Sequence, residues 1–432
     1  MSVHRVALVL TGALLAAVIV VPCGAQQAGA GQAAPQGAAA VKFDPVAATE
    51  AYLARMTPEQ RTRSDAYFEG GYWLQLWGFL YGAAVSLLLL ATGLSARMRD
   101  LAVRTTRFAG LQTALYWLQY LVVTGVVSFP LTVYEGYFRE HAYGLSTQAF
   151  GAWLGDQGKG LLVGAIMGGL ALMAVYAVFR RAKRTWWAWG AGVSLVFLVI
   201  AIAIAPVFIE PLFNKYTPLK DESIRGPILR LARANGIPAT DVFVVDASKQ
   251  SNRVSANVAG FLGTERIALN DNLLKRCSRE EIEQVMGHEM GHYVLNHVFK
   301  GIVEFGVLIV FGFLFLRWSF EKASARWGAR WGIQGIADPA ALPLLALLLS
   351  VFFFAITPVT NTLIRTQEVE ADIYGLNAAR FPDAEAEVDL KLGEYRKMKP
   401  GRLEEIVFFD HPSGYNRILM AMRWKAENLP PQ

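Results

Sequence analysis

Cysteine is nearly absent from this chain, which has only two in 432 residues. They are Cys23 and Cys277, and cleavage of a signal peptide would remove the first of them. The mature chain could then form neither a disulfide framework nor a metal site built on cysteine. An internal repeat, a phosphate-binding glycine loop and an RNA-binding signature are also missing from the sequence. We therefore expect no nucleic-acid partner.

Charged residues are absent from long stretches of the chain, of which 54% is hydrophobic and 18% charged. Each long uncharged run can cross the roughly 30 Å of bilayer hydrocarbon as a helix. These runs are 72–94, 109–134, 160–179, 185–209 and 339–364. A shorter run, 301–316, carries Glu304, which either lines a polar cavity in the membrane or lies at the interface. The pattern predicts a mainly α-helical multi-pass membrane protein with six to seven transmembrane helices.

The N-terminus has two interpretations. Arg5 precedes the apolar run 6–22, so residues 1–25 form a signal peptide or a first membrane helix. A tail and linker are predicted for the residues up to 71. The later boundaries that we expect are membrane helices over 72–209, a polar domain over 210–300, two further membrane helices over 301–364 and a C-terminal helical part of the polar domain over 365–432.

Arginine and lysine cluster in three predicted loops that connect apolar runs. Counted from run to run, all three fall on the same side of the membrane, and the positive-inside rule assigns that side to the cytoplasm. The segments are 95–108, 180–184 and 317–330. The long polar segment 210–300 then faces the non-cytoplasmic side. The net charge of +6 suits an anionic lipid bilayer as a partner.

The polar segment 210–300 has the pattern of a small α+β domain. Val242–Val245 and Arg266–Leu269 are short, β-branched and flanked by turn residues, which predicts strands. Ser278 and Glu281 have capping-box spacing, so we expect a helix that starts there and runs to about Val298.

That helix contains the most informative motif, His-Glu-Met-Gly-His at 288–292. On a helix, His288 and His292 lie one turn apart and about 40° around the axis, so both imidazoles can bind one ion. Glu289 between them can take a proton from a water on the metal. This is the arrangement of a zinc peptidase. Ordinary core or surface histidines are the alternative, which the glycines beside the motif disfavour.

A third ligand must come from elsewhere in the chain. His297 would lie on about the opposite helix face from His288, so we expect it to pack or to form a hydrogen bond instead. Among the acids that follow the last apolar run, Glu368 and Asp372 share a helix face, whereas Glu370 points away. One acid could bind zinc while the other orients a ligand histidine. A solvated helix face is an equally good interpretation of this spacing.

Four stretches together resemble the type I CAAX prenyl protease family, integral-membrane zinc endopeptidases related to HtpX-type proteases. They are His288–His292, the Arg-x-x-Glu-x-x-Ala-Asp element at 365–372, the segment 211–219 and the His-Pro element at 411–412. The resemblance covers roughly 130–425. It implies a zincin-like catalytic domain with one Zn²⁺ per chain, Glu368 as the third ligand and Asp372 as the acid that orients a ligand.

Further roles come from the same resemblance. It implies that His411 stabilises the oxyanion of the tetrahedral intermediate; a capping role for His411 is the alternative. Arg417 could also offset that negative charge, and it is a candidate for substrate binding. Arg365 could form a structural ion pair with Asp372. Residues 255–260 resemble the edge strand on which substrates lie, and either Ser255 or Asn257 holds the substrate backbone.

The expected function is a zinc-dependent endopeptidase in which Glu289 is the general base. The resemblance points to prenylated Cys-a-a-X proteins as substrates, whereas the predicted outward-facing site favours an envelope quality-control protease. A non-enzymatic membrane protein, either a zinc-stabilised chaperone or a transporter with metal-binding residues, is the alternative of another class. The sequence leaves the oligomeric state open.

Overall fold

The computed structural model describes residues 43–259 and 266–430. The predicted signal peptide or first helix over 1–25 lies outside the described residues. So do the first part of the predicted tail, 26–42, and Gly260 of the predicted substrate strand.

Most of the described chain is α-helical. The helices are α1 Pro45–Leu53, α2 Pro58–Ala91, α3 Leu94–Thr105, α4 Ala109–Val133, α5 Arg139–Ala142, α6 Phe150–Arg181, α7 Trp186–Ile204, α8 Glu222–Ala234, α9 Asp271–Arg276, α10 Arg279–Val294, α11 His297–Trp331, α12 Leu342–Ala379, α13 Pro382–Leu392, α14 Arg402–Phe408 and α15 Gly414–Asn428. A π-helical turn, Tyr134–Phe138, joins α4 to α5, and a second one, Ala205–Ile209, extends α7.

Within the described ranges, six helical segments are long and apolar enough to cross a membrane. They are Pro58–Ala91, Ala109–Ala142, Phe150–Arg181, Trp186–Leu212, His297–Trp331 and Pro339–Ala379. This agrees with the prediction of a mainly α-helical multi-pass membrane protein.

The helices extend beyond the apolar runs that predicted them. The first begins at Pro58 rather than at residue 72, so part of the predicted linker is helical. Helix α11 continues to Trp331 through residues 317–330, and 95–108 contains α3, although both segments were expected to be loops. The absence of charge marks only the hydrocarbon-spanning part of a helix, and charged residues can continue the same helix into the polar layer.

The three basic segments meet at one end of the bundle. Arg99 donates to Asp338, in the turn before α12, at 2.7 Å. Arg180, near the end of α6, lies 3.3 Å from Thr113 of α4. The guanidinium of Arg317 lies 6.0 Å from the ring of Trp187 at the start of α7. The candidate spans run alternately from this end to the other. The polar domain follows the end of α7 and precedes the start of α11, so it lies at the opposite end.

The described residues of that domain form a four-stranded mixed sheet. The strands are β1 Tyr216–Pro218, β2 Val242–Val245, β3 Ala256–Ala259 and β4 Arg266–Asn270. Their order is β1-β2-β4-β3, with β2 and β4 parallel and the outer pairs antiparallel. Both predicted strands are present, and β4 is one residue longer than predicted. Buried side chains of β4, Ile267 and Leu269, pack with Ile282 and Met286 of α10.

Helix α10 ends earlier than the sequence predicts. Its last residue is Val294, and Asn296 adopts a left-handed conformation with φ of 56° before α11 begins at His297. Asparagine tolerates this conformation better than most residues. The expected continuous helix to Val298 is therefore wrong.

Candidate active site

A capping box begins the helix that carries the His-Glu-Met-Gly-His motif. The Glu281 backbone N–H donates to Ser278 Oγ at 3.3 Å, and the Ser278 N–H donates to the Glu281 carboxylate at 2.8 Å. Both contacts agree with the predicted capping box, which satisfies amide groups that the first helical turn leaves free.

Glycines let α10 approach α12 closely. A Cβ added to Gly375 of α12 would lie 2.8 Å from the backbone nitrogen of His288. A Cβ on Gly291 would lie 3.1 Å from the Tyr374 Cβ, and one on Gly287 would lie 3.1 Å from the Gly375 carbonyl. These glycines, unfavourable for an isolated helix, allow the contact that brings the two motifs together.

The contact places the potential ligand groups of three residues around one point. His288 Nε2 and His292 Nε2 are 3.1 Å apart. The Glu368 carboxylate lies 3.4 Å from the first nitrogen and 3.5 Å from the second. Atoms bound to a tetrahedral zinc at about 2.0–2.1 Å lie roughly 3.4 Å from each other. The donor set therefore fits a zinc ion in both chemistry and spacing.

Asp372 supports one of these histidines. The Nδ1 of His288 lies 2.7 Å from Asp372 Oδ1, an arrangement in which Nδ1–H donates and Nε2 keeps its lone pair for a metal. Asp372 is itself 0% exposed and also accepts from Arg417 at 2.9 Å.

Arg417, which the sequence analysis considered for substrate binding and for the oxyanion, lies in a buried cluster of carboxyls. Its side chain is buried, and it contacts the carboxyls of Asp372, Glu385 and Asp389. Burial raises the pKa of both Glu385 and Asp389, which favours the neutral form of each carboxyl beside the single guanidinium. Arg417 is thus the ion-pair partner of Asp372, a role that the sequence analysis considered for Arg365.

Arg365 instead holds the segment that carries His411. It donates to the backbone carbonyls of Glu405 at 2.9 Å and Phe409 at 2.5 Å. His411 follows, with Nε2 at 3.2 Å from the Glu368 carboxylate. The structure therefore places His411 beside Glu368, at the proposed metal-binding group. A helix-capping role was the alternative for His411, but the residue that caps α15 is Ser413.

The predicted substrate strand is β3, at one edge of the described sheet. It pairs with β4 on one side and packs against α10. Ser255 precedes the strand and is exposed, whereas Asn257 lies within it and is half-buried. An edge strand has free backbone groups that can pair with an extended peptide.

Burial controls protonation at the centre of the site. It raises the pKa of Glu289 to about 7, which suits a group that must accept and return a proton near neutral pH. Burial also lowers the pKa of His292 to about 4, and His288 adds to the effect. His292 is therefore neutral at pH 7, as a metal-binding imidazole must be.

Several contacts near the site were missed from the sequence. His297 forms the expected hydrogen bond, but its partners are His292 and Glu370. Glu304 accepts a hydrogen bond from Gln367, the neighbour of Glu368, at 2.7 Å. The spacing of five residues between His292 and His297 did not predict their contact, because the hydrophobic periodicity of the sequence does not show that the helix breaks at Asn296.

Comparison with known proteins gives this site a family. The profile of peptidase family M48 matches residues 218–425, and the profile "CAAX prenyl protease N-terminal, five membrane helices" matches residues 46–215. A Bacillus subtilis protein named "Uncharacterized metalloprotease YhfN" is 32% identical over 345 residues, which cover 79% of this chain and 80% of that protein. The chain belongs to peptidase family M48.

Other relatives extend this result. CAAX prenyl protease 1 of Saccharomyces cerevisiae is 28% identical over 356 residues, 78% of this chain and 76% of the relative. The crystal structure of S. mikatae Ste24p aligns with a TM-score of 0.73 and 23% identity, over 88% of this chain and 95% of that chain. The M48 protein described here is therefore a multi-pass membrane metalloprotease with a Ste24p-like fold, and the family resemblance seen in the motifs is confirmed.

Proposed function

We propose that this M48 protein is a zinc-dependent endopeptidase whose single zinc ion is held by His288, His292 and Glu368. The observation that carries the proposal is the group of three donor residues, in which the two imidazole nitrogens and the carboxylate lie 3.1 to 3.5 Å apart. When bound there, the ion would act as a Lewis acid that polarises a peptide carbonyl and activates water.

The protein's own residues have separate tasks in the proposed reaction. The substrate lies extended along β3, where backbone hydrogen bonds hold the scissile bond near α10. Glu289 removes a proton from the attacking water and later delivers it to the leaving amine nitrogen. His411 donates a hydrogen bond to the carbonyl oxygen as negative charge develops on it. Asp372, fixed by Arg417, keeps His288 in the orientation required of a ligand.

We further propose that the site faces the non-cytoplasmic side and acts on membrane-associated proteins. The support is the position of the basic segments at the opposite end of the bundle. An envelope protease that removes or trims membrane proteins suits this orientation. A second candidate substrate is a prenylated protein with a C-terminal Cys-a-a-X sequence, which the names of several relatives favour.

The first experiment is Glu289→Gln in the full chain, purified in detergent. We expect proteolysis to fall by several orders of magnitude while zinc remains bound at one ion per chain, because the amide cannot accept the proton. Cleavage of a quenched peptide and the zinc content by mass spectrometry are the measurements. Glu280→Gln, an exposed position on the same helix, is the matched control and should keep its activity.

Zinc removal provides the complementary measurement. Dialysis against a chelator should abolish cleavage, and added zinc should restore it. Unimpaired cleavage by the Glu289→Gln protein, or by protein shown to be free of metal, would contradict the proposed mechanism. Comparing a prenylated with an unprenylated Cys-a-a-X peptide then separates the two substrate classes.

A further inference from the structure

Among the described residues, an imidazole and not a carboxylate contacts the Nδ1 of His292, whereas Asp372 contacts the Nδ1 of His288. The Nδ1 of His292 lies 2.8 Å from the Nδ1 of that imidazole, His297. The opposite nitrogen of His297, Nε2, lies 3.0 Å from Glu370. His297 is only 4% exposed, so these two contacts replace its contact with water. A continuous chain of side chains therefore runs from His292 through His297 to Glu370.

The chemistry of the rings fixes the direction of the hydrogen bonds. A metal bound at His292 Nε2 requires the proton of that ring to be on Nδ1. That N–H must donate to His297 Nδ1, which then has to be the acceptor nitrogen. The proton of His297 is left on Nε2, where it donates to the Glu370 carboxylate. Each member of the chain thus fixes the tautomer of the previous one.

The backbone break at Asn296 makes this contact possible. In an uninterrupted helix, a residue five positions after His292 would lie about 140° away around the axis. The left-handed Asn296, with φ of 56°, ends α10 and turns the chain so that His297 begins α11 beside His292. Glu370 reaches His297 from α12, and Lys300 holds Glu370 with an ion pair.

We propose that His297 and Glu370 are positioning residues that orient His292 as a metal ligand, as Asp372 does for His288. This inference rests on the proposed zinc site and adds to it a second support for the ligands. Partners of ligand histidines typically contribute 10- to 100-fold to metal affinity or activity.

Two substitutions of His297 test the inference, because one keeps the hydrogen-bond acceptor for His292 and the other removes it. His297→Asn retains an oxygen near the position of Nδ1 that can accept from His292, whereas His297→Phe retains the ring shape and removes the acceptor. We expect zinc affinity to fall by about 10- to 100-fold in the Phe protein and by much less in the Asn protein. Competition with a graded series of chelator concentrations measures this loss independently of activity.

Glu370→Leu provides a variant at a partly exposed position, with 41% of the side chain accessible, where folding is less at risk. It should also weaken zinc binding. The double variant with His297→Phe and Glu370→Leu should lose little more zinc affinity than His297→Phe alone, because both residues act through the same series of hydrogen bonds. Among kinetic constants, kcat should fall while KM changes little. Glu321→Leu, a 65% exposed acid at the far end of α11, is the matched control.

The outcomes separate this inference from the proposed function. A wild-type protein that holds one zinc and cleaves peptide, alongside Phe and Leu variants with unchanged zinc affinity, would overturn the inference alone. Equal losses in the Asn and Phe variants would assign His297 to packing and would also overturn it. A wild-type protein that neither binds zinc nor cleaves peptide would overturn the proposed function and this inference together.

Discussion

Among individual residues, Asp372 joins the metal-binding motif to a buried ionic cluster. It accepts from His288 on one side and from Arg417 on the other. Arg417 also contacts Glu385 and Asp389, both on α13, so three carboxyls surround one guanidinium. Such a buried cluster fixes positions, but the desolvation of its charges costs stability.

The raised pKa of Asp389 predicts a pH-dependent stability. Below its ordinary pKa of about 3.9, both the folded and the unfolded states hold the proton. Above that value the unfolded chain releases the proton while the folded protein keeps it, so the free energy of unfolding falls as the pH rises towards the raised pKa. The slope is at most about 1.4 kcal/mol per pH unit.

Asp389→Asn should remove this contribution and raise the melting temperature at pH 7 to 8 relative to wild type. Thermal unfolding in detergent between pH 5 and 8 measures the effect. Asp383→Asn on the same helix, where the side chain is 50% exposed, controls for the loss of a carboxyl. If the Asp389→Asn protein is less stable than wild type throughout this range, the buried carboxyl is needed in its charged form.

Among the elements, the pair α10 and α12 determines whether a site exists at all. The first helix brings His288 and His292, the second brings Glu368 and Asp372, and glycines on both allow them to touch. The general base and the ligands therefore depend on a helix contact in which even one added methyl group matters.

Gly375→Ala should separate these helices, because the new Cβ would lie 2.8 Å from the backbone nitrogen of His288. We expect a loss of about 1–3 kcal/mol in stability, as for other overpacked positions, together with weaker zinc binding. The melting temperature and the bound zinc are the measurements. Gly78→Ala in α2, where no described heavy atom lies within 4 Å of the added Cβ, is the control and should change neither.

At the scale of the whole molecule, the bundle separates a basic end from a catalytic end. Arg99, Arg180 and Arg317 mark the first, and the sheet with α10 and β3 forms the second. The six candidate spans connect the two ends in alternation. The orientation of the entire protein therefore decides which compartment supplies the substrates.

The positive-inside rule predicts that the basic end is cytoplasmic. A reporter that is active only in the cytoplasm should work when fused at Gly335, between α11 and α12, and should stay inactive when fused at Asp221, in the peptidase domain. Activity of the reporters in cells is the measurement, with immunoblots as the control for expression. Signal from the Asp221 fusion alone would reverse the proposed orientation.

The sequence by itself determined the features that depend on local pattern. The uncharged runs predicted the membrane helices, the capping box predicted the start of α10, and residues 288–292 with 365–372 pointed to the family. Hydropathy, capping and short motifs are encoded in neighbouring residues, so they can be read without a fold.

Only the tertiary structure decided which distant groups meet. It gave Asp372 the guanidinium of Arg417 rather than Arg365, and it placed His411 beside Glu368. It also turned His297 towards His292 through a single left-handed residue. Such contacts arise from helix packing and from one backbone dihedral, which the periodicity of a sequence does not record.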